Sequence, residues 1–374
     1  MEFTISCKAL QKELGFVQGV VEKKQTIPVL SNILVESIGE NTIRFTGTDL
    51  DVTIRCDAEA ESIITPGAVC VQARKLFDIA RLLPPEATVH FKQGENDWVT
   101  VTAARSNFKV AGLAKEHFPE VPTSKSVPIK LPAFVFKSFI DRTIFAITQE
   151  ESRYTLSGAK FMLDAAGAKM VTTDGHRLAY IGWAGINGNG NGNNGTMDTL
   201  IPRKTLAELS KLSTSFEADI MLGADDNHIY FEIGPRLLIS RVLSGQFPNY
   251  EMVLPKGNDK AVTFDAAELN QAVKRAALMA DDRTRAVRFH LQTGKLSIQS
   301  NNAEEGEANE TLGIDYEGED VEIGFNAQYL QDFLNVAGDG NVVFEFKNGN
   351  AQAQFRPAVD DSMDYRYVVM PMRV

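Results

Sequence analysis

Three stretches, VQARKLFDIARLL (71–83), IPRKTLAELSKLS (201–213) and FNAQYLQDFLNVA (325–337), decide how the chain is read. Each starts as a strand and turns into a helix with apolar or small residues at i, i+3 and i+4. These are Leu76, Ile79 and Ala80; Leu206, Leu209 and Ser210; Leu330, Phe333 and Leu334. Their first anchors lie 130 and 124 residues apart, which marks an internal repeat. Upstream of each, a second helical stripe recurs at i, i+4, i+7 and i+11. It runs through Leu10, Leu14, Val17 and Val21, then Phe136, Ile140, Thr143 and Ile147, then Leu269, Val273, Ala276 and Ala280. A Phe-Pro pair follows the second helix in two copies, at Phe118-Pro119 and Phe247-Pro248.

Between the helices, segments such as Thr42 to Thr46, Trp98 to Thr102, Lys160 to Leu163, His228 to Ile233, Arg288 to Leu291 and Val342 to Phe346 alternate with period two, the pattern of half-buried strands. The expected fold is therefore α+β: three tandem copies, each with two helices packed on antiparallel sheet. The copies are expected to span 1–125, 126–256 and 257–374. One segment breaks the pattern: GINGNGNGNNGT (185–196) is nearly pure Gly and Asn and reads as a flexible loop tip inserted in copy two.

The 374 residues, 44% hydrophobic and 23% charged, suit a soluble globular protein. No apolar run is long enough to cross a membrane and the first ten residues lack a leader pattern, so a cytoplasmic protein is expected. Cys7, Cys56 and Cys70 are odd in number and lack CxxC spacing, which suits buried thiols and neither disulfides nor a zinc knuckle. A net charge of -11 disfavours nucleic acid as a partner unless charge is segregated. The repeat register tests that. Two residues before the second-helix anchor stand Arg74, Lys204 and Gln328, and five after it Arg81, Lys211 and Asn335. Seven residues apart, each pair shares a helix face, basic in copies one and two and neutral in copy three. The first helices add Lys8 and Lys12, Lys137 and Arg142, Lys274 and Arg275, whereas acids collect at Glu304, Glu305, Glu307 and Glu310 and at Glu317, Glu319 and Asp320. This is either a surface built for phosphates or a set of ordinary solvated helix faces.

The most site-like string is TTDGHRLAY (172–180), which sets Asp174, His176 and Arg177 within four residues at a strand end. It reads as a catalytic dyad, a metal-ligand pair or an Asp-Gly turn. No HExxH, Walker A or GxSxG string occurs and the five histidines are scattered, so neither metal nor cofactor is expected. Copy one offers the carboxylate pair Asp49 and Asp51, a conceivable divalent-cation site, without the His or the Arg. The end of the chain, Val368 to Val374, reads as a final strand followed by an exposed, adaptable Met-Pro-Met surface. From the residues alone a metal-dependent enzyme using Asp174 and His176, a peptide-binding repeat scaffold and a DNA-encircling protein all remain open.

Several strings in order narrow the choice: TGTDLD (46–51), VQARKLFDIARLLP (71–84), TTDGHRLAY, IPRK (201–204), QFPNYEMVLP (246–255), IGFNAQYL (323–330) and VVMPMRV (368–374). Over its whole length the chain resembles the bacterial DNA polymerase III beta-subunit family, the replicative sliding clamps. The resemblance implies three similar domains, two chains closing head to tail into a ring around duplex DNA, and no catalysis. It also implies partners tethered through short linear peptides: the polymerase III catalytic subunit, the clamp loader, other polymerases and repair proteins. Carried over position by position, the peptide groove takes Leu156, Thr173, Gly175, His176, Arg177, Leu178, Pro248 and Val253, completed by Val368, Val369, Met370, Pro371, Met372 and Arg373. Facing DNA, the resemblance adds Lys24, Tyr154 and Lys204 to the basic helix residues Arg74, Arg81, Lys137, Arg142, Lys211, Lys274 and Arg275. The dimer interface it implies sets Phe108 and Val110 against Leu278 and Met279, with Arg105 and Lys109 near Glu304 to Glu310. The chain departs from the family pattern at Thr155, where a second aromatic is frequent, and at Met252, where an arginine is.

Overall fold

Strand runs directly into helix at five of the six helix starts the repeat predicts, the third being separated from its strand by Pro132, and capping marks where the turn occurs at three of them. In the computed structural model, which describes all residues but 22–26, 124–125, 127, 151, 186–195, 214–218, 360–362 and 374, the helices are α1 (Cys7–Val17), α2 (Ala73–Leu82), α3 (Ala133–Thr143), α4 (Arg203–Ser213), α5 (Ala266–Ala277) and α6 (Ala327–Ala337). The Ser6 hydroxyl accepts from Ala9 N at 3.2 Å, Asp265 from Glu268 N at 2.8 Å, and Asn326 from Gln328 N at 2.9 Å, each satisfying an orphan first-turn amide. The predicted stripes are the buried faces: Leu10, Leu14 and Val17; Leu76, Ile79 and Ala80; Leu206 and Leu209; Leu269, Val273 and Ala276; Leu330, Phe333 and Leu334. Ile147 and Ala280 lie past their helix ends yet remain buried. The Gly/Asn-rich loop falls almost wholly outside the described residues.

All strand pairings are antiparallel, and the three copies group into two compact units. The first holds Met1–Lys137 with Lys204–Val242 and the second Ser138–Arg203 with Leu243–Val374. The cut passes through copy two because sheets continue across the repeat borders. In the first unit a nine-stranded sheet joins Val52–Glu59 of copy one to Arg236–Arg241 of copy two. In the second an eight-stranded sheet joins Arg177–Trp183 of copy two to Met363–Val369 of copy three. Each unit also has a smaller sheet ending in a free edge: five strands ending at Ser106–Val110 in the first, four ending at Gly306–Gly313 in the second.

The copy-one seam is fastened by a buried ion pair that periodicity did not reveal. Arg236, 1% exposed, donates from Nε and a terminal nitrogen to the two carboxylate oxygens of Glu13 on α1, both at 2.7 Å. Its guanidinium also lies 3.8 Å from the centre of the Phe16 ring. Two charges withdrawn from water hold only while they satisfy each other. Cys56, opposite Arg236 in the ladder, is buried and free like Cys7 and Cys70. Burial raises all three thiols, Cys70 to about 12, so none is a thiolate at neutral pH.

The repeated Phe-Pro pair has one job in both copies. Phe118 packs on Leu34 and Cys70, and Phe247 on Val171, Leu178, Leu200 and Val368. In the second unit the neighbours of those residues along the strands point the other way. The Thr172 hydroxyl donates to Thr143 O at the end of α3, and the Tyr367 ring stacks on Phe333 of α6 at 5.1 Å. Helices thus cover one face of the eight-stranded sheet, and the segment after Phe247 lies on the other.

Candidate functional site

The TDGHR string is a turn, built before it is anything else. Gly175 at φ +90 takes a conformation that side chains disfavour. Asp174 Oδ1 accepts from His176 N at 2.9 Å and Arg177 N at 3.1 Å, while the Thr173 hydroxyl donates to Arg177 O at 2.6 Å. The other Asp174 oxygen accepts from Arg177 Nε at 3.0 Å. Both carboxylate oxygens thus hold the turn together.

Arg177 locks the turn to copy three. Its remaining nitrogens donate to Asp332 Oδ2 on α6 at 2.6 Å and to Phe145 O at 2.7 Å, and its plane lies 4.3 Å from the Tyr329 ring centre. The side chain is only 9% exposed. Burial opposes its charge, but Tyr367, Asp332 and Asp174 outweigh that and raise its pKa, so it stays a cation. Tyr367 is itself pushed up by burial and donates its hydroxyl to Tyr329 O at 2.9 Å.

The tail is pinned, which corrects the expectation of an exposed Met-Pro-Met. The strand Met363–Val369 pairs along Arg177–Trp183, with Val369 opposite Arg177 and Val368 opposite Leu178. Met370 N still donates to His176 O at 2.9 Å; then Pro371, which has no donor, ends the ladder. Met372 N donates to Gly324 O at 2.8 Å on a different strand, so Pro371 and Met372 are half-buried between two anchors.

Turn, tail and the segment after Phe247 enclose a cleft of about 490 Å³, open mouth included. Leu156, Thr173, Gly175, Arg177, Leu178, Pro248, Val253, Val368 and Met370 line it, joined by Phe247 and Tyr250. Five of the expected groove residues lie outside this lining. His176 is exposed, Val369 is buried in the ladder, Pro371 and Met372 are held as above, and Arg373 is exposed. Phe247 and Tyr250 were the missed members; both stand in QFPNYEMVLP, and the Phe-Pro repeat was the signal for the first. The lining is apolar, and its one charged member spends its donors inward. Such a cleft suits an apolar side chain rather than bond-making chemistry.

The helix faces need a correction. Midway between the two predicted cationic positions every copy carries an acid: Asp78, Glu208 and Asp332. Asp78 is 3.9 Å from Arg74 and 3.6 Å from Arg81, and Lys211 donates to Glu208 at 2.7 Å. The copy-three face, expected to be neutral, holds Asp332. Lys204 is an ion-pair partner of Asp49 in copy one, so Asp49 is no half of a cation site; Asp51 lies 3.8 Å from Arg241. Arg275 pairs with Glu310 at 2.7 Å and Lys274 donates to Asn335 at 3.4 Å. The Arg142 guanidinium lies 5.5 Å from the Tyr365 ring centre, Lys137 is half-buried, Tyr154 is exposed, and Lys24 lies outside the described residues. Among the described residues no three of His, Cys, Asp and Glu gather to hold a metal ion, and no helix is long and apolar enough to cross a membrane.

Of the expected interface residues, Phe108 and Val110 are half-buried on the free edge Ser106–Val110. Leu278 is 73% exposed and Met279 half-buried just past α5. Arg105 and Lys109 are exposed, as are Glu304, Glu305 and Glu307 near or on the other free edge.

Sheets sewn across repeat borders, and an apolar cleft walled by a fixed turn and a pinned tail, define a repeat-built binding protein. Residues 1–122, 130–249 and 251–373 match in turn the N-terminal, central and C-terminal domains of the DNA polymerase III beta subunit. The beta sliding clamp of Pseudomonas putida is 38% identical over 376 residues and that of Escherichia coli 33% over 379, each over 100% of both chains. A solved DnaN sliding clamp from Pseudomonas aeruginosa bound to griselimycin shares the fold with a TM-score of 0.94 at 36% identity, covering 100% of both chains. The chain belongs to the DNA polymerase III beta-subunit family, and its function is that of a DNA sliding clamp, a processivity factor of replication.

Proposed function

We propose that two copies of this chain close head to tail around duplex DNA, and that the ring tethers its partners by short peptides seated in the Leu178 and Val368 cleft. The cleft carries the tethering reading. It is apolar, its polar groups are satisfied from within, and its size admits a few side chains and no folded domain. The partners expected are the polymerase III catalytic subunit, the clamp loader, other polymerases and repair proteins. The domain limits 1–125, 126–256 and 257–374 belong to the same reading. No step of it needs a catalytic group, a metal or a cofactor, and three buried free thiols suit the cytoplasm.

Closure is supported by the two free sheet edges. One carries Phe108, Lys109 and Val110, with Arg105 just before it; the other carries Glu307 and Glu310, with Glu304 and Glu305 just before it. Edges of opposite charge, with the exposed Leu278 as apolar filling, suit a heterologous two-fold closure and disfavour like-with-like pairing. A closed ring needs only loose, sequence-independent phosphate attraction, so basic faces tempered by internal acids are sufficient. The test is retention on nicked circular duplex after loading. The ring is expected to survive a high-salt wash and to leave when the circle is linearised; protein that stays on the linear product would refute enclosure.

The tempering acids give a second expectation. Asp78→Asn frees Arg74 and Arg81 on an exposed face. Affinity for a duplex oligonucleotide is expected to rise roughly two- to fivefold at 50 mM salt and to lose most of that gain by 200 mM. Fluorescence anisotropy across a salt series reads this; equal affinities at low salt would remove the α2 face from the DNA path.

A further inference from the structure

The turn that closes one side of the cleft presents an apolar side chain for which the cleft itself has no use. Tyr250–Met252 is a single 3-10 turn, and at three residues per turn Tyr250 and Val253 point the same way, into the lining. Met252 lies outside that lining and is 77% exposed, although exposing an apolar side chain to water costs free energy. The backbone beneath it is fixed. Asn249 caps Glu251 N at 3.2 Å, Val253 N and Leu254 N both donate to Tyr250 O, and Gln352 Nε2 donates to Val253 O at 3.3 Å. Exposed Met252 is therefore held at the mouth by structure and does not depend on a loose loop to reach it.

The charges around the mouth are asymmetric. Beside Met252 stands exposed Glu251. On the turn side, Arg153 Nη1 donates to Asp174 O at 2.7 Å and lies 3.0 Å from where a Cβ on Gly175 would stand. Arg153 is paired with Glu150 at 2.9 Å, which tempers its charge. A ligand leaving the cleft over Met252 meets apolar surface and then the Glu251 carboxylate.

We propose that Met252 is a specificity-determining residue: it selects partner peptides with a second apolar side chain beside the one that fills the cleft, and with Glu251 it rejects an acidic residue at that position. This rests on the peptide reading of the cleft. Met252 acts as a flexible, polarisable contact that adapts to several apolar shapes, so the rule is a chemical class and not one residue.

The experiment uses the full-length protein and a synthetic hexapeptide library with one leucine fixed and the flanking positions drawn from Leu, Ser, Lys and Asp. Peptides retained by the wild type are expected to be enriched in Leu and depleted in Asp at one flanking position. Met252→Ser should lower affinity for the best such peptide roughly five- to tenfold and erase the Leu enrichment. Met252→Arg should turn the same position towards Asp. Both changes lie on the surface, where the fold tolerates them. Identical enrichment in all three proteins overturns the role of Met252 and leaves the peptide reading standing. A library that yields no binder to the wild type overturns both.

Discussion

Arg236→Met is expected to cost the first unit about 3–5 kcal/mol, because it leaves the buried Glu13 carboxylate without the guanidinium that holds both its oxygens. The new side chain fills much of the arginine's volume, so lost packing is the smaller part of the cost. Leaving a charge buried without a counter-charge is the larger. The expected reading is a fall of roughly 6–20 °C in the first thermal transition, since units of this size shift by about 2–4 °C per kcal/mol. The double variant Glu13→Leu with Arg236→Met removes both charges. It is expected to recover most of the loss, as apolar replacements of buried pairs are often neutral or stabilising. If the double variant is as unstable as the single one, the damage comes from packing against Phe16 and not from the stranded charge. Partial unfolding of the seam would part Val52–Glu59 from Arg236–Arg241, so the single variant should also load poorly on circular DNA.

The repeat was legible because helix stripes depend only on local spacing, and spacing survives divergence. Where the seams run was not legible. Whether Met363–Val369 closes copy three or joins copy two is decided by which strand lies alongside, and Val368 and Val369 would look the same in either case. The acids at Asp78, Glu208 and Asp332 are in plain view in the sequence, but which cation each one neutralises depends on side-chain geometry that spacing does not carry. Glu13 and Arg236 were hidden more deeply: they lie 223 residues apart, and nothing near either marks it as buried.

The site-like string shows how a motif can be over-read. Copies one and two build the same turn: Asp49 Oδ1 accepts from Asp51 N at 3.0 Å and Val52 N at 2.7 Å, and Asp174 Oδ1 takes the matching pair of amides from His176 and Arg177. Leu50 at φ +81 stands where copy two has Gly175 at φ +90. Asp174 is thus repeat architecture, which is why it looked catalytic without being placed for it. What copy two alone possesses is Arg177 in place of Val52. That exchange joins the turn to Asp332 on α6, and Arg177 becomes a wall of the cleft.

Leu156→Asp is expected to lower affinity for any peptide using the cleft by roughly 100-fold or more. A carboxylate at the lining must either be desolvated by an apolar anchor or keep its water and exclude the anchor. Leu156 is the suitable position because it is half-buried in the short 3-10 turn Tyr154–Leu156, so the charge can reach water in the free protein. The milder Leu156→Ala should cost roughly five- to tenfold, the loss of apolar contact alone. Neither variant touches the free edges or the cationic helix positions, so both should still load on nicked circles and remain there. Primer extension with the clamp's own polymerase should separate the two functions: Leu156→Asp rings stay on DNA, while product length falls to that seen without clamp. Wild-type product lengths from Leu156→Asp rings would mean that the polymerase is held elsewhere on the molecule.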